Sequence, residues 1–358
     1  MEPPLVSIIM PCRNAGRMLR GAVRSVIGQS YPNKELIFVH DRSNDGSVEL
    51  ARKFAETAAT SITITCAPTA GVNSARNHGF SLARGEFVQW LDADDEIEPN
   101  KIATQVEFLL MHPDIDIAYG DWIERDYRQL TVGDRRINAL SSGNPIRRAL
   151  SLHWHAPHAH LLRRSAAARL SNETAFWPSR PVATDVEYFA IATLLGLKFA
   201  YVPNGCAVYN IWSETQMSSS TNYLLRAATL KNIYERLNEL SNRDDIRPRI
   251  KTDHRALLNQ NWDLWALPTG NIEQQRRNGR QVMLFNRRNG RSIRVRPHEA
   301  QVIPIIESPY MARFVAHHAT EISLQKPGLF LDQAEIIFFL DRLRRAEILL
   351  RVTPPVPA

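Results

Sequence analysis

Phe87-Val88-Gln89-Trp90-Leu91-Asp92-Ala93-Asp94-Asp95-Glu96 is a short, largely apolar run that ends abruptly in acid. Such a run is too short for a helix and reads as a buried strand, so the acids stand just past its carboxyl end. The same arrangement occurs twice upstream. Leu5 to Met10, stopped by Pro11, leads into Pro11-Cys12-Arg13-Asn14, and Leu36 to Val39 leads into Asp41-Arg42-Ser43-Asn44-Asp45-Gly46. Ile62 to Cys66 and Ile115 to Tyr119 read as two further strands. Between them, Gly16 to Gln29 carries Met18, Leu19, Ala22, Val23, Val26 and Ile27 at helical spacing. Ser47 to Ala59, with Ser47 as N-cap, Asn73 to Ala83 and Ile102 to Met111 are the other helices. Strands separated by helices of this length make an open α/β fold with a largely parallel sheet. Ligands of such sheets bind outside the carboxyl ends of the strands, where the three polar clusters meet.

Several carboxylates therefore converge at one edge, and no basic residue interrupts the run Asp92 to Glu96. Asp92 and Asp94, two apart on an extended or turning backbone, point to the same side. Clustered acids repel one another unless a cation joins them. A hard divalent ion, Mn²⁺ or Mg²⁺, accepts one or two carboxylates and completes its shell with phosphate oxygens. That combination neutralises a diphosphate leaving group. A Walker lysine motif and a Gly-rich dinucleotide fingerprint are both absent from the sequence, which argues against an NTPase and a dehydrogenase.

Val6 to Pro11 with Arg13-Asn14, then Ser25-Val26-Ile27-Gly28-Gln29-Ser30-Tyr31-Pro32, resembles the opening of family 2 glycosyltransferases. The resemblance continues through Glu35 to Ser47, Gly71-Val72-Asn73-Ser74-Ala75-Arg76-Asn77-His78-Gly79, and Ala83 to Asp95. It is continuous over about the first 120 residues and patchy to about 220. It implies a GT-A fold (a Rossmann-like sheet flanked by helices), a nucleotide-sugar donor and inversion at the anomeric carbon. By position, Asp41 would accept a hydrogen bond from the base, typically uracil, with Pro11 and Arg13 lining that pocket. Asp92 would contact the ribose beside Ala93, Asp94 would hold the metal, and Arg76 and Asn77 would lie near the phosphates or sugar.

An inverting transferase also needs a general base for the acceptor hydroxyl. The matching stretch is Thr184-Asp185-Val186-Glu187-Tyr188-Phe189, with Thr184 where the family has Glu. Asp185 is the expected base and Glu187 its substitute; an acid that merely stabilises a helix start is the alternative. Other departures are His40 and Arg42, in place of an acid and a glycine, and Asn210-Ile211-Trp212, where the family often has an Arg and a His. Arg42 would add a phosphate contact or block the pocket. Trp212 would stack on a sugar or lie in the core. These departures keep open a catalytically inactive sugar- or peptide-binding adapter, and the acid cluster alone also suits a nucleotidyltransferase.

His153-Trp154-His155-Ala156-Pro157-His158-Ala159-His160 invites a zinc site, but no Cys lies nearby and the helical His pair with a glutamate is missing. Polar lining of an acceptor cleft, or ordinary surface, is the reading preferred. Asp45 and Ser47 read as helix caps, and Asn172-Glu173-Thr174 as a coincidental glycosylation motif.

With 358 residues, 44% hydrophobic and 23% charged, the chain is long enough for a large core and an appendage. The expected division is a catalytic domain over 1–222, a helical connector over 223–275, and an accessory α/β module over 276–358. The connector carries Leu230, Ile233, Leu237 and Leu240 at helical steps and runs to about Leu267, before Pro268-Thr269-Gly270. In the module, Val282 to Phe285, the Asn289-Gly290 turn and Ser292 to Val295 read as a hairpin. Helices follow over His298 to Ile306, Pro309 to His318 and Leu331 to Leu349. A hairpin with three helices resembles winged-helix modules that recognise peptides; a packing or dimerisation module is the alternative.

The net charge of +7 crowds into Arg276-Arg277-Asn278-Gly279-Arg280 and Arg287-Arg288-Asn289-Gly290-Arg291. A solvated basic face is the preferred reading. A surface for an acidic partner (anionic lipid, a phosphate-bearing acceptor or an acidic peptide) is the sharper one, with a homodimer or a peripheral membrane contact through this region as its forms. Nucleic acid is disfavoured, since no aromatic residues interleave with the run. Three spaced cysteines and the start Met1-Glu2-Pro3-Pro4 lead to the expectation of a cytoplasmic chain, with membrane association on that face. The acceptor, whether saccharide, lipid-linked glycan or peptide, is not specified by any motif.

Overall fold

The computed structural model describes residues 2–127, 130–132, 156–174, 184–212 and 223–258, and beyond these 264–266, 272–277, 281–286, 292–295, 310–311, 339–340, 342–345 and 350–351. They fall into two compact units, one holding everything described up to Trp212 and the other everything described from Tyr223.

The strands of the first unit are β1 (Val6–Cys12), β2 (Lys34–His40), β3 (Ser61–Cys66), β4 (Phe87–Trp90), β5 (Glu96–Ile97), β6 (Ile117–Tyr119), β7 (Trp122–Asp126), β8 (Thr131–Val132), β9 (His160–Arg163), β10 (Phe199–Tyr201) and β11 (Ala207–Ile211). Its helices are α1 (Leu19–Ile27), α2 (Ser47–Thr57), α3 (Val72–Leu82), α4 (Lys101–Met111), α5 (Arg164–Thr174) and α6 (Thr184–Leu194). Each strand and helix expected before residue 120 is present within a few residues.

A seven-stranded sheet runs in the order β10-β6-β9-β4-β1-β2-β3. β1 is central, parallel to β2 and β4, with Ile8 opposite both Leu36 and Gln89. All seven of its residues are buried. An apolar run without alternation belongs in such a strand, covered on both faces by helices. α3 packs across β1 and β2 at Gly79, where a Cβ would overlap Ile9 Cγ2 and lie 3.1 Å from Val39 Cγ2. This close approach matters below, because α3 also carries Arg76.

The structure corrects the sequence reading at several points. β9 runs antiparallel between β4 and β6, pairing Leu162 with both Val88 and Ile117. Local periodicity cannot reveal such an inserted neighbour, since it carries no information on pairing. The stretch from 120 to 220, expected to be loop-rich, contributes β7, β9, β10, β11, α5 and α6 among the described residues. The strands here are five residues or fewer, too short for a period to register. β11 pairs with β5 and β7 in a second sheet, of order β5-β11-β7-β8. Ser47 is not the N-cap of α2: Gly46, at φ 86°, holds that place. Asp45 caps instead, its Oδ1 accepting the Ser47 N–H at 3.1 Å, while Ser47 Oγ accepts the Gly16 N–H.

In the second unit α7 (Tyr223–Asn242) buries Ile233, Leu237 and Leu240, as their spacing requires. α8 (Thr252–Leu258) is tied to it by the Tyr234 hydroxyl, which donates to the Leu258 carbonyl at 2.7 Å. The expected helix does not reach Leu267, because Leu264–Ala266 is a strand, β12. β13 (Ile272–Arg277) joins β14 (Gln281–Asn286) and β15 (Ser292–Val295), so the expected hairpin is part of a three-stranded antiparallel sheet. Tyr310–Met311 forms β16, which pairs with β12 and overturns a helix there; β17 (Leu350–Arg351) pairs with β12 as well. Phe339, Leu340 and Leu343 are buried within helical residues, in keeping with the last expected helix. The turns at Pro268-Thr269-Gly270 and Asn289-Gly290 and the helix over His298 to Ile306 lie outside the described residues. Among the described residues no helix is long and apolar enough to cross a membrane.

Candidate active site

β1 and β2 end in register, Cys12 opposite His40, and β4 lies on the other side of β1. The loops that follow are locked together: Asn14 Oδ1 accepts the Asn44 N–H at 3.0 Å, and the Asn14 N–H donates to Ser43 Oγ at 3.1 Å. Asn14 and Arg42 are both left-handed, at φ 52° and 51°. Asn tolerates that region, whereas for Arg it is strained. The Arg42 guanidinium donates to Asp41 Oδ1 at 3.0 Å. Asp41 is only 4% exposed, and its Oδ2 accepts the Gly71 N–H at 2.8 Å with Arg13 at 3.6 Å. Gly71, at φ 113°, is the N-cap residue of α3. Pro11 lies buried at the end of β1, directly beneath this cluster.

Past β4, burial alternates: Asp92 and Asp94 are half-buried while Ala93 and Asp95 are buried. The acids are not free of basic residues, as the sequence had suggested. Arg76, buried on α3, grips both oxygens of Asp92 at 2.7 and 3.0 Å, and Arg125 of β7 meets Glu96 at 3.1 Å. Arg76 and Arg125 are distant from these acids in the chain and come to them only through helix and sheet packing. Asn77 follows Arg76 on α3, half-buried.

Asp95 is fully interior, and its Oδ1 accepts the Asn210 N–H at 2.8 Å. Its Oδ2 lies 3.4 Å from His158 Nδ1. His158 Nε2 stands 3.1 Å from the Val208 carbonyl and must carry a proton to face it. Burial pushes the His158 imidazole down to about 4. Burial, with repulsion from Asp94 and Asp92, pushes the Asp95 carboxyl well above its ordinary range. Both shifts have one main cause: burial disfavours the charged form of each group. Arg76 thus offsets Asp92, and Arg125 offsets Glu96. Neither cleft lining nor surface, His158 is a buried support, and His160 is a buried ring stacked on Phe189 at 3.9 Å. His153 and His155 lie outside the described residues.

β11 holds the acid loop at alternate positions. The Val208 carbonyl engages it through His158, and Asn210 engages it directly. Asn210 Nδ2 and Trp212 Nε1 then both donate to the Asp94 carbonyl, at 2.9 and 3.1 Å. Tyr127 stacks on Trp212 at 3.7 Å and 6°. Trp212 is thus a clamp on the acid loop.

Residues 7–170 match the family described as Glycosyl transferase family 2. This part of the chain is a family 2 glycosyltransferase domain. The glycosyltransferase YibD of Escherichia coli (strain K12) is 36% identical over 123 residues, 34% of this chain and 35% of that protein. The putative teichuronic acid biosynthesis glycosyltransferase TuaG of Bacillus subtilis (strain 168) is 34% identical over 107 residues, 30% of this chain and 42% of that protein. The chain therefore spans less than half the length of either relative. Two solved structures share the fold. TarS of S. aureus (residues 1–349), in complex with UDP-GlcNAc, gives a TM-score of 0.56 at 17% identity, covering 71% of this chain and 70% of that one. The mannosyltransferase PcManGT of Pyrobaculum calidifontis, in complex with GDP-Man and Mn²⁺, gives 0.52 at 20% identity, covering 72% and 70%. The α/β sheet of the family 2 domain is the expected GT-A fold.

Asp185 and Glu187 lie past the matched residues, in the first turn of α6. Tyr188 of the same turn packs edge-on against Trp90 at 6.1 Å, and Trp90 stands two residues before Asp92. This contact draws the start of α6 toward the end of β4. Asp185 is half-buried and Glu187 is 2% exposed, so Asp185 is the more accessible of the two. The candidate site also relies on residues to which the sequence reading gave no supporting role. Gly71, Asp95, Arg125 and Asn210 act through contacts that only the fold creates. A Trp following a strand was visible, but its bond to the Asp94 carbonyl was not.

Proposed function

We propose that the chain is an inverting, metal-dependent glycosyltransferase that moves a hexose from a UDP-sugar to a saccharide acceptor. The observation that carries this reading is the pair of ion-paired carboxylates past the ends of β2 and β4, the two strands that flank β1: Asp41 with Arg13 and Arg42, and Asp92 with Arg76, next to Asp94. The first suits a base and the second suits a ribose diphosphate. Uracil presents one N–H flanked by two carbonyls, and the Asp41 carboxylate with guanidinium groups beside it is the complement. Guanine, with adjacent N–H donors, would need both carboxylate oxygens clear.

The residues fit a hard divalent ion. Among the described residues no group of three or more His, Cys, Asp or Glu is arranged to hold a metal. The adjoining carboxylates Asp94 and Asp92 supply the small, all-oxygen set that Mn²⁺ or Mg²⁺ accepts when phosphates complete the shell. Asp94 would hold the ion, which when bound neutralises the diphosphate leaving group. Asp185 takes the proton from the acceptor hydroxyl as that oxygen attacks the anomeric carbon, and Arg76 keeps Asp92 oriented toward the ribose. The relative TuaG, named for teichuronic acid biosynthesis, supports a polymer-building role. The free cysteines Cys12, Cys66 and Cys206 support a cytoplasmic setting.

Thermal stabilisation by UDP, GDP and dTDP, with and without Mn²⁺, tests the proposal. The expected result is a shift with UDP that requires Mn²⁺ and vanishes in Asp94→Ala. Absence of a shift with every nucleoside diphosphate would refute the donor assignment.

A further inference from the structure

We propose that Arg17 is a phosphate-binding residue, whose guanidinium meets the diphosphate of the donor; this rests on the nucleotide-sugar reading above. The charge pattern of the site leads to it. Arg13 and Arg42 are committed to Asp41, Arg76 to Asp92 and Arg125 to Glu96. A diphosphate arriving at this rim brings negative charge into a field already dominated by carboxylates, and each of those cations is engaged. Arg17 is exposed and, among the described residues, pairs with no carboxylate.

Its position is built by the fold. Arg17 lies in the 3-10 turn Gly16–Met18 that runs directly into α1, four residues before Gly21. At Gly21 a Cβ would lie 2.8 Å from Glu96 Oε1, so α1 presses directly on the acid loop there. The Arg17 guanidinium carbon stands 5.9 Å from the centroid of the Trp212 ring. Tyr127 covers that ring in parallel contact at 3.7 Å. Trp212 Nε1 is bonded to the Asp94 carbonyl at 3.1 Å, so one indole separates the guanidinium from the loop that bears Asp94. An exposed cation–π contact contributes only about 0.5–1 kcal/mol, enough to bias the side chain and too little to hold it from a phosphate. A guanidinium presents paired N–H donors that match two phosphate oxygens at once.

The test is calorimetric titration of the full chain with UDP and with uridine, each with Mn²⁺, for the unchanged protein, Arg17→Gln and Arg17→Lys. Arg17→Gln is expected to weaken UDP by about tenfold, the scale of one lost charge-assisted contact, while leaving uridine unchanged. Arg17→Lys should recover part of the loss, because it returns the charge without the fork. Equal weakening of uridine and UDP would overturn the proposal by making Arg17 a prop for Trp212, and unaltered UDP binding would overturn it outright. If the unchanged protein binds no nucleotide, the donor reading falls and this inference falls with it.

Discussion

Gly79→Ala probes the approach of α3 to the sheet, on which the placement of Arg76 depends. A methyl at position 79 would overlap Ile9 Cγ2 and press on Val39 Cγ2 at 3.1 Å. Ile9 and Val39 are both fully buried on the adjacent strands β1 and β2, so neither has room to turn away. Carbon atoms settle at roughly 3.5–4.0 Å, and α3 must therefore lift by about 1 Å. Alanine is favoured over glycine inside a helix by about 0.5–1 kcal/mol. Overpacking a close contact costs about 1–3 kcal/mol, which is the larger effect. The expected outcome is a net loss of about 1–2 kcal/mol in urea unfolding, with an unchanged slope. Ile9→Ala removes the opposing methyl, so in that background Gly79→Ala should be neutral or stabilising. UDP affinity should fall alongside stability, because Arg76 lies three residues earlier on the same face of α3. A Gly79→Ala protein as stable as its parent, or equal losses in both backgrounds, would refute the account of the contact.

Trp212→Phe keeps the stack on Tyr127 but removes the N–H that holds the Asp94 carbonyl. Losing one such bond costs about 0.5–1.5 kcal/mol, so Mn²⁺-dependent UDP binding should weaken several-fold; unchanged binding would mean that Asn210 alone fixes the loop. Glu35 offers a test in pH. Burial raises its carboxyl, but the Ser7 hydroxyl and Arg84 outweigh that effect and hold it below the ordinary 4.5. A depressed carboxyl contributes stability at neutral pH that is lost as pH falls through its folded value. The stability gap between the parent and Glu35→Gln should therefore be widest near neutrality and close on acidification, as read from urea midpoints; a gap independent of pH would contradict this.

The acid cluster at the strand ends was legible in the sequence because its residues directly follow strands. Asp41, Asp92 and Asp94 each terminate an apolar run, and a parallel sheet puts such ends together. Arg76 and Asn210 stood out in the sequence, but the contacts by which they and others support the acids were not legible. Arg76 reaches Asp92 across a helix–strand contact, His158 reaches Asp95 from an irregular segment, and Asn210 reaches Asp94 and Asp95 from another sheet. None of these contacts has a local pattern in the sequence. The antiparallel insertion of β9 escaped for the same reason, since its four residues, His160–Arg163, are too few for periodicity.

The alternating hold of β11 on the acid loop makes the location of Asp94 a matter of counting residues. Along a strand, a shift by one position turns every side chain to the opposite face. A single inserted or deleted residue between Val208 and Trp212 would carry Asn210 and the indole away from the Asp94 carbonyl together, whatever the inserted residue was. Substitutions in this stretch can be graded, but length changes cannot. Among kindred chains, gaps should therefore gather before Ala207 and after Trp212 and be excluded between them, a signature that aligned sequences would display without any structure.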